Sequence, residues 1–416
     1  MLVDYLRRAL LPPGLIVRLP DGRSICADLA PSGVGPIVRI TSWAALAKIC
    51  IRPSVGFGEA YMDGDLVLER GSLWDVLDLI GASRPAATRS ASSPRRLCER
   101  LLKRWRQANA QAAARRNVAH HYDLSRDFYA RFLDEDLQYS CAYFAQPDMN
   151  LEEAQAAKKE HILRKLRLAP GQSVLDIGCG WGGLALTLAE EADVVVTGLT
   201  LSQEQLATAR TRAAQRGLAG IVRFDLLDYR EAGDLYDRVV SVGMFEHVGT
   251  PNYGAYFETI AARLTDDGVA LVHAIGRKDG PGLTQPWIEK YIFPGGYIPA
   301  LSEVLPAIEA AGLWVTDIEI LRGHYAATLR CWRERFEANR ADIAQMYDER
   351  FCRMWEFYLA LSEVAFRHRG HMVFQIQLAK RQDATPLTRD YQYRPRRVVG
   401  LGSRLGKRFE PLDRGR

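Results

Sequence analysis

The residues of this 416-residue chain best placed to do chemistry are polar groups standing at the ends of apolar runs. The first is Asp176, in Ser173-Val174-Leu175-Asp176-Ile177-Gly178-Cys179-Gly180-Trp181-Gly182-Gly183. Val174, Leu175 and Ile177 suit a buried parallel strand, and the four glycines predict a turn into a helix beginning near Leu184. Glycine has no Cβ, so such a turn lets backbone N–H groups approach a bound ligand. Asp176 can then meet the polar or cationic groups of that ligand. A nicotinamide cofactor would ask for an acid about 20 residues further on. The next apolar run, Val194 to Leu199, ends instead in Thr200-Leu201-Ser202.

The elements that position these residues alternate. Helix Leu151–Leu168 leads into the glycine turn, followed by strand Val194–Leu199, helix Ser202–Arg216, strand Ile221–Leu226, strand Asp237–Val242, helix Tyr253–Leu264 and strand Val269–Ile275. This order predicts an α/β fold, a doubly wound parallel sheet with helices on both faces. Ligands of such sheets bind beyond the C-terminal strand ends. That rule places Asp176, Thr200, Asp228, Glu246 and His273 around one crevice. Gly276 to Leu301, rich in Gly, Pro and aromatics, reads as a lid. A strand near Leu313–Leu321, a long helical stretch from Ala326 to Arg367 and a strand at Val373–Leu378 complete the pattern.

Upstream, residues 1–80 read as a small α+β domain: a hairpin of Leu15–Leu19 and Ser24–Leu29 around Asp21-Gly22, a strand Ile37–Ile40 and a helix Trp43–Ile49. Residues 81–116 read as a basic linker, 117–385 as a catalytic domain and 386–416 as a basic tail. Arg84 to Arg116 carries ten Lys or Arg against Glu99 alone, a net +9 in a chain whose total is +5. Within it Leu97, Leu101, Leu102 and Trp105 share one face of a helix among basic residues, the pattern of an interfacial helix. A second basic cluster spans Arg394 to Arg408. Such clusters attract anionic membrane surfaces or nucleic acid, and a solvated linker and tail is the plain alternative. No nucleic-acid-reading module is recognisable. The chain lacks an apolar run of membrane-spanning length, and its first residues are too short and charged for a secretory signal, so a cytoplasmic protein is expected. Its seven cysteines are scattered, with no Cys-x-x-Cys pair, and indicate neither disulfides nor a metal.

The glycine turn resembles the first motif of class I S-adenosylmethionine-dependent methyltransferases. Five further segments sharpen this: Gln138-Tyr139-Ser140-Cys141-Ala142-Tyr143, Thr200-Leu201-Ser202-Gln203-Glu204-Gln205, Ser241-Val242-Gly243-Met244-Phe245-Glu246-His247-Val248-Gly249, His273-Ala274-Ile275-Gly276 and Tyr291-Ile292-Phe293-Pro294-Gly295-Gly296. In this order and spacing they resemble cyclopropane-fatty-acyl-phospholipid synthases and, over the catalytic part, mycolic acid cyclopropane synthases. Gly56 to Gly64 resembles that family's N-terminal lipid-binding domain.

The resemblance implies a class I methyltransferase (Rossmann-like) fold and transfer of a methylene group from S-adenosylmethionine to a cis double bond of an unsaturated phospholipid acyl chain. It implies a cofactor site of Tyr139, Ser140, Asp176, Gly178, Gly180, Thr200, Gln205, Asp228 and Tyr229. It also implies a bound bicarbonate ion held by Cys141, Glu246, His273, Ile275 and Tyr325, with Cys141 and Ile275 acting through backbone groups. An alkene is a weak nucleophile, so the site must align it with the methyl donor and exclude water. Aromatic faces can stabilise the cationic character that follows, with Tyr143, Phe144, Phe245, Trp287 and Phe293 as candidates. Ring closure needs a base, the role that bicarbonate would fill while Glu246, His273 and Tyr325 orient it. The resemblance further implies a peripheral association with the inner face of the membrane and is compatible with a homodimer. Two other readings stand beside it: a methyl-branched or methylene product or another lipid acceptor, and a catalytically silent lipid-binding protein. Taken residue by residue, Glu246 with His247 also fits a strand-end polar pair, His273 a hydrogen-bonded core histidine, and Cys141 and Cys179 inert buried thiols.

Overall fold

A computed structural model describes residues 2–27, 35–83 and 124–393. The basic segment Arg84 to Arg116, its interfacial-helix pattern and the basic cluster Arg394 to Arg408 lie outside the described residues. Two compact units are formed. The larger contains described residues 124–282, 295–324 and 372–393; the smaller contains 2–27 and 35–83 together with Leu283–Pro294 and Tyr325–His371.

The larger unit is built on seven strands: β5 (Ser173–Ile177), β6 (Val195–Thr200), β7 (Val222–Leu226), β8 (Tyr236–Val242), β9 (Leu264–Arg277), β10 (Trp314–Leu321) and β11 (His371–Ala379), in the order β10-β11-β9-β8-β5-β6-β7. The pairs β5/β6, β6/β7, β5/β8 and β8/β9 are parallel, whereas β10 and β11 are antiparallel. Strand order reverses between β5 and β8, which is where a doubly wound sheet opens a crevice. Both faces of the central strands are apolar because both are covered. Leu175 and Ile177 pack with Phe245, Tyr256, Phe257 and Ile260 on one side. Val174, Val196 and Phe224 pack with Leu163, Leu186 and Leu188 on the other.

The helix Leu151–Leu166 starts on a reciprocal cap, Asn150 Oδ1 accepting from Glu153 N–H while Glu153 Oε2 accepts from Asn150 N–H. The helices Gly183–Ala192, Gln203–Gln215 and Tyr253–Arg263 follow β5, β6 and β8.

The smaller unit has its own sheet, β1 (Ile16–Arg18), β2 (Ser24–Ile25), β3 (Ile37–Ile40) and β4 (Leu66–Arg70), in the order β2-β1-β3-β4. The β1/β2 hairpin turns at Gly22, whose φ of 86° only glycine adopts cheaply. Its helix Trp43–Ile51 packs backbone to backbone on helix Pro53–Met62, since a Cβ on Gly56 would lie 2.4 Å from the Lys48 carbonyl oxygen. The segment expected as a lid supplies helix Pro286–Tyr291 to this unit. The stretch expected as one long helix is three: His324–Ala338, Arg340–Met346 and Glu349–His368. Asn339 and Tyr347 leave helical geometry, and Asp348 caps the last helix by accepting from Phe351 N–H at 2.7 Å.

Candidate active site

The C-terminal ends of the parallel strands lie in register, Asp176 opposite Gly198 and Val240, Thr200 opposite Leu226, and Val242 opposite His273. Asp176, Thr200 and His273 therefore stand on strands of this sheet toward their C-terminal ends, while Asp228 follows β7 by two residues and Glu246 follows β8 by four. Beyond β5 the chain makes three left-handed glycines, Gly178 (φ 81°), Gly180 (φ 54°) and Gly182 (φ 82°). They serve different ends. A Cβ on Gly178 would meet Met244 at 2.9 Å, and one on Gly182 would meet Phe224 and Ala209 at 2.8 and 2.9 Å, whereas one on Gly180 would enter open space. Gly178 and Gly182 are required by packing, and Gly180 leaves a cradle at the backbone. The amides of Gly178 and Cys179 both donate to the Leu199 carbonyl at 2.9 Å, which ties the turn to β6.

Asp176 is buried, and its Oδ2 has no hydrogen-bond partner among the described residues. Loss of solvent pushes its pKa up to about 7, against the pull of Lys158. Thr200 Oγ1 donates to Gln205 Oε1 at 2.8 Å and accepts from Ser202 N–H. Asp228 is less available than expected. Both of its carboxylate oxygens are held by the Arg230 guanidinium, at 2.8 and 2.6 Å, and it caps the short helix Tyr229–Glu231. Tyr229 lies beside it, edge-on to Tyr256 with ring centroids 5.4 Å apart. Tyr139 packs edge-on to Tyr129, and Ser140 is buried with its hydroxyl accepting from Lys158 Nζ at 3.0 Å.

The second cluster gathers on β8 and β9. Glu246 Oε1 accepts from Ile275 N–H at 2.7 Å, while Oε2 is out of water and has no partner among the described residues. Burial pushes this carboxyl up to about 7. The Ile275 amide thus serves to hold Glu246. His273 is buried and its Nδ1 lies 3.0 Å from Gln375 Nε2; with Gln375 donating, the ring proton sits on Nε2. Burial, reinforced by the Lys158 charge, depresses its pKa to about 3, so the ring is neutral. His247 is likewise held neutral by burial, with a pKa near 4. Cys141 is buried and its thiol donates to the Ala142 carbonyl. Tyr325 belongs to the smaller unit, packed against Trp332 and Phe366.

Among the aromatic candidates, Phe245 is a core residue stacked on Tyr253, and Trp287 is fully buried against Phe357 in the smaller unit. Tyr143 is sandwiched between the His161 and His324 rings. Sequence reasoning missed Lys158, Gln155 and Gln375. The one signal for Gln375 was its place, with Gln377, inside an otherwise apolar strand.

An open glycine cradle beside a buried, unpartnered strand-end carboxylate fits a polar, cationic cofactor, and with this strand order it defines a class I S-adenosylmethionine-dependent methyltransferase. The model of the mycolic acid cyclopropane synthetase family matches residues 109–376. The chain belongs to that family. It is 39% identical over 358 residues to the cyclopropane-fatty-acyl-phospholipid synthase of Escherichia coli, covering 85% of this chain and 91% of that one. It is 40% identical over 340 residues to the tuberculostearic acid methyltransferase of Mycobacterium tuberculosis, covering 78% and 79%. The solved structure of the cyclopropane synthase MmaA2 from Mycobacterium tuberculosis superposes with a TM-score of 0.61 at 35% identity, covering 64% of this chain and 98% of that one.

Proposed function

We propose that the protein is a cyclopropane fatty acid synthase, which converts a cis double bond of an unsaturated phospholipid acyl chain to a cyclopropane, with bicarbonate as general base. The observation that carries this reading is Glu246: one carboxylate oxygen is fixed by the Ile275 amide and the other is held dry and unpartnered at the strand ends. S-adenosylmethionine supplies an electrophilic methyl group, and Tyr139, Ser140, Asp176, Gly178, Gly180, Thr200, Gln205, Asp228 and Tyr229 are the residues proposed to hold it. Asp176 offers a carboxylate to a cationic or hydroxyl group, and Gly180 lets the backbone come close. Bicarbonate is proposed to lie against Cys141, Glu246, His273 and Ile275. Neutral His273 donates from Nε2, the Ile275 carbonyl accepts, and Glu246, poised near pH 7, accepts or donates according to its proton. Tyr325 keeps its assignment as the fifth ligand on the sequence match around it.

The N-terminal unit and the basic residues of 84–116 are proposed to bring a cytoplasmic enzyme to the anionic inner face of the membrane, where acyl chains are available. Binding to anionic vesicles that survived both high salt and charge reversal of that segment would remove this part of the reading.

The test is incubation with methyl-deuterated S-adenosylmethionine and vesicles of cis-monounsaturated phospholipid, followed by mass spectrometry of the released fatty acids. A labelled product one methylene heavier than its precursor supports the synthase. A product two hydrogens heavier still would favour a methyl-branched chain, the reading that the tuberculostearic acid methyltransferase relative brings forward. Turnover in bicarbonate-stripped buffer should fall and recover on adding the ion back. Unchanged turnover would remove the bicarbonate.

A further inference from the structure

Lys158 sits on helix Leu151–Leu166 with its side chain wholly out of solvent, an unusual place for an ammonium group. Its Nζ donates to two neutral acceptors, Gln138 Oε1 at 2.6 Å and Ser140 Oγ at 3.0 Å. One turn earlier on the same face, Gln155 Nε2 donates to the carbonyls of Gln138 and Ser140 at 3.3 and 3.0 Å. Helix Leu151–Leu166 therefore grips the Gln138–Ser140 segment by side chain and backbone together. On its far side the segment rests on the start of the helix that follows the glycine turn, for a Cβ on Gly183 would fall 2.4 Å from both Gln138 Nε2 and Asp136 Oδ2. Gln138 is pinned there as well, donating from its amide nitrogen to Asp134 Oδ1 and from Nε2 to Asp136 Oδ2.

The chemistry of this contact is one-directional. An ammonium group has three N–H donors and no lone pair, so Ser140 Oγ must accept from it. The Ser140 proton is then obliged to point to a different acceptor. A burial role alone would be served as well by Met, which fills similar volume without the cost of dehydrating a charge. The acids nearest Lys158, including Asp134, Asp136 and Asp176, act on it through space and form no ion pair with it among the described residues. Through the bond to Ser140 Oγ the ammonium polarises the Ser140 O–H toward an anionic acceptor.

We propose that Lys158 is a positioning residue that fixes the Ser140 hydroxyl as a donor toward the carboxylate of the methionine portion of S-adenosylmethionine. The inference rests on the reading that Ser140 faces the cofactor. It adds the residue that sets the direction of the Ser140 hydrogen bond and the ligand group that receives it.

The experiment is titration calorimetry of the full chain with S-adenosylmethionine and with decarboxylated S-adenosylmethionine, for wild type, Lys158→Met, Ser140→Ala and the double variant. Each single variant should weaken S-adenosylmethionine binding about tenfold or more, the scale of one charge-assisted hydrogen bond, and leave the decarboxylated ligand nearly unaffected. The double variant should be little weaker than Ser140→Ala, because Lys158 acts through Ser140. Equal losses for both ligands would make Lys158 a structural residue and overturn the proposal. If Lys158→Met does not fold, Ser140→Ala alone must still distinguish the two ligands, and failure to do so has the same meaning. Asp176→Ala separates the two levels of the argument. Lost binding in Asp176→Ala with intact binding in the Ser140 and Lys158 variants overturns this inference alone; intact binding in all of them removes the cofactor site itself.

Discussion

Gly180→Ala isolates what the turn after β5 does for the ligand from what it does for the fold. Gly180 has φ 54°, so any L side chain there pays the left-handed penalty of about 1–2 kcal/mol. Among the described residues nothing lies within 4 Å of the added methyl, so no steric cost is expected on top. Gly178→Ala makes the contrast. It has the same φ penalty at 81°, and its methyl would sit 2.9 Å from Met244 Cβ and Cγ, atoms too near the backbone to swing away. Overpacking of that kind adds about 1–3 kcal/mol. Gly178→Ala should thus lose roughly 2–5 kcal/mol of stability and Gly180→Ala only about 1–2. Affinity should run the other way for Gly180, because the open space at its Cα is where a ligand would meet the backbone. A methyl intruding there by the same overpacking cost weakens S-adenosylmethionine about 5- to 150-fold. Urea denaturation gives the first quantity and titration calorimetry the second. Wild-type affinity in a folded Gly180→Ala would refute the claim that this glycine is present for close approach, and equal destabilisation by the two variants would refute the packing argument.

Glu246→Gln keeps the acceptor for the Ile275 amide and removes a carboxylate whose pKa burial raises from 4.5 to about 7. A raised folded pKa means stability is complete below about pH 4.5 and is lost as pH climbs through 7. The variant should therefore exceed wild type by up to about 3 kcal/mol at pH 8 and converge with it toward pH 5, as read by denaturation at the two pH values; parity at pH 8 would contradict the burial. Asp176, also near 7, is about half protonated at neutral pH. A cationic ligand stabilises its anion, so cofactor binding at pH 7 should release protons, seen as a dependence of calorimetric heat on buffer ionisation enthalpy that vanishes above about pH 9. In the smaller unit, burial would raise the Glu59 carboxyl, but hydrogen bonds from Lys290, Lys48 and Tyr291 outweigh it and bring the pKa to about 2. Glu59→Ala should cost about 1–2 kcal/mol at pH 7, discounted for the exposure of both lysines, and the difference from wild type should shrink as pH falls from about 4.5 toward 2. An unchanged gap at pH 3 would sink that account.

The sheet and the glycine turn after β5 were legible because each depends on local pattern. Apolar runs that carry Asp176, Thr200 and His273 toward their ends give buried parallel strands, and the glycines after Ile177 give the left-handed turn at 178, 180 and 182. Lys158 was illegible for an equally local reason. In the run Ala156-Ala157-Lys158-Lys159-Glu160 a lysine reads as part of a solvated face, and only the tertiary placement of Gln138 and Ser140 turns it inward. Asp228 was read as a ligand-facing acid, yet Arg230 two residues on takes both of its oxygens. The grouping of Leu283–Pro294 and Tyr325–His371 with residues 2–27 and 35–83 is a matter of long-range packing that no periodicity encodes. Within it, Gly58 is small because the Trp287 indole lies against it, 2.6 Å from where a Cβ would stand, a partner 229 residues away.

The charges left unfinished at the strand ends are the strongest physical statement about function. Among the described residues, Asp176 Oδ2 and Glu246 Oε2 are both sealed from water without partners, Lys158 donates to neutral partners only, and His273 is held neutral on β9. A fold selected for stability alone would pair such groups or replace them, since each unpaired buried charge costs several kcal/mol. Their concentration where β5, β8 and β9 end, rather than across the sheet, places the cost where a ligand can recover it. Two acids near pKa 7 and a lysine lowered to about 8 are also groups whose protons move easily at neutral pH. That is the condition under which a site can accept a cationic cofactor on one side and steer a proton on the other without either group being lost to solvent.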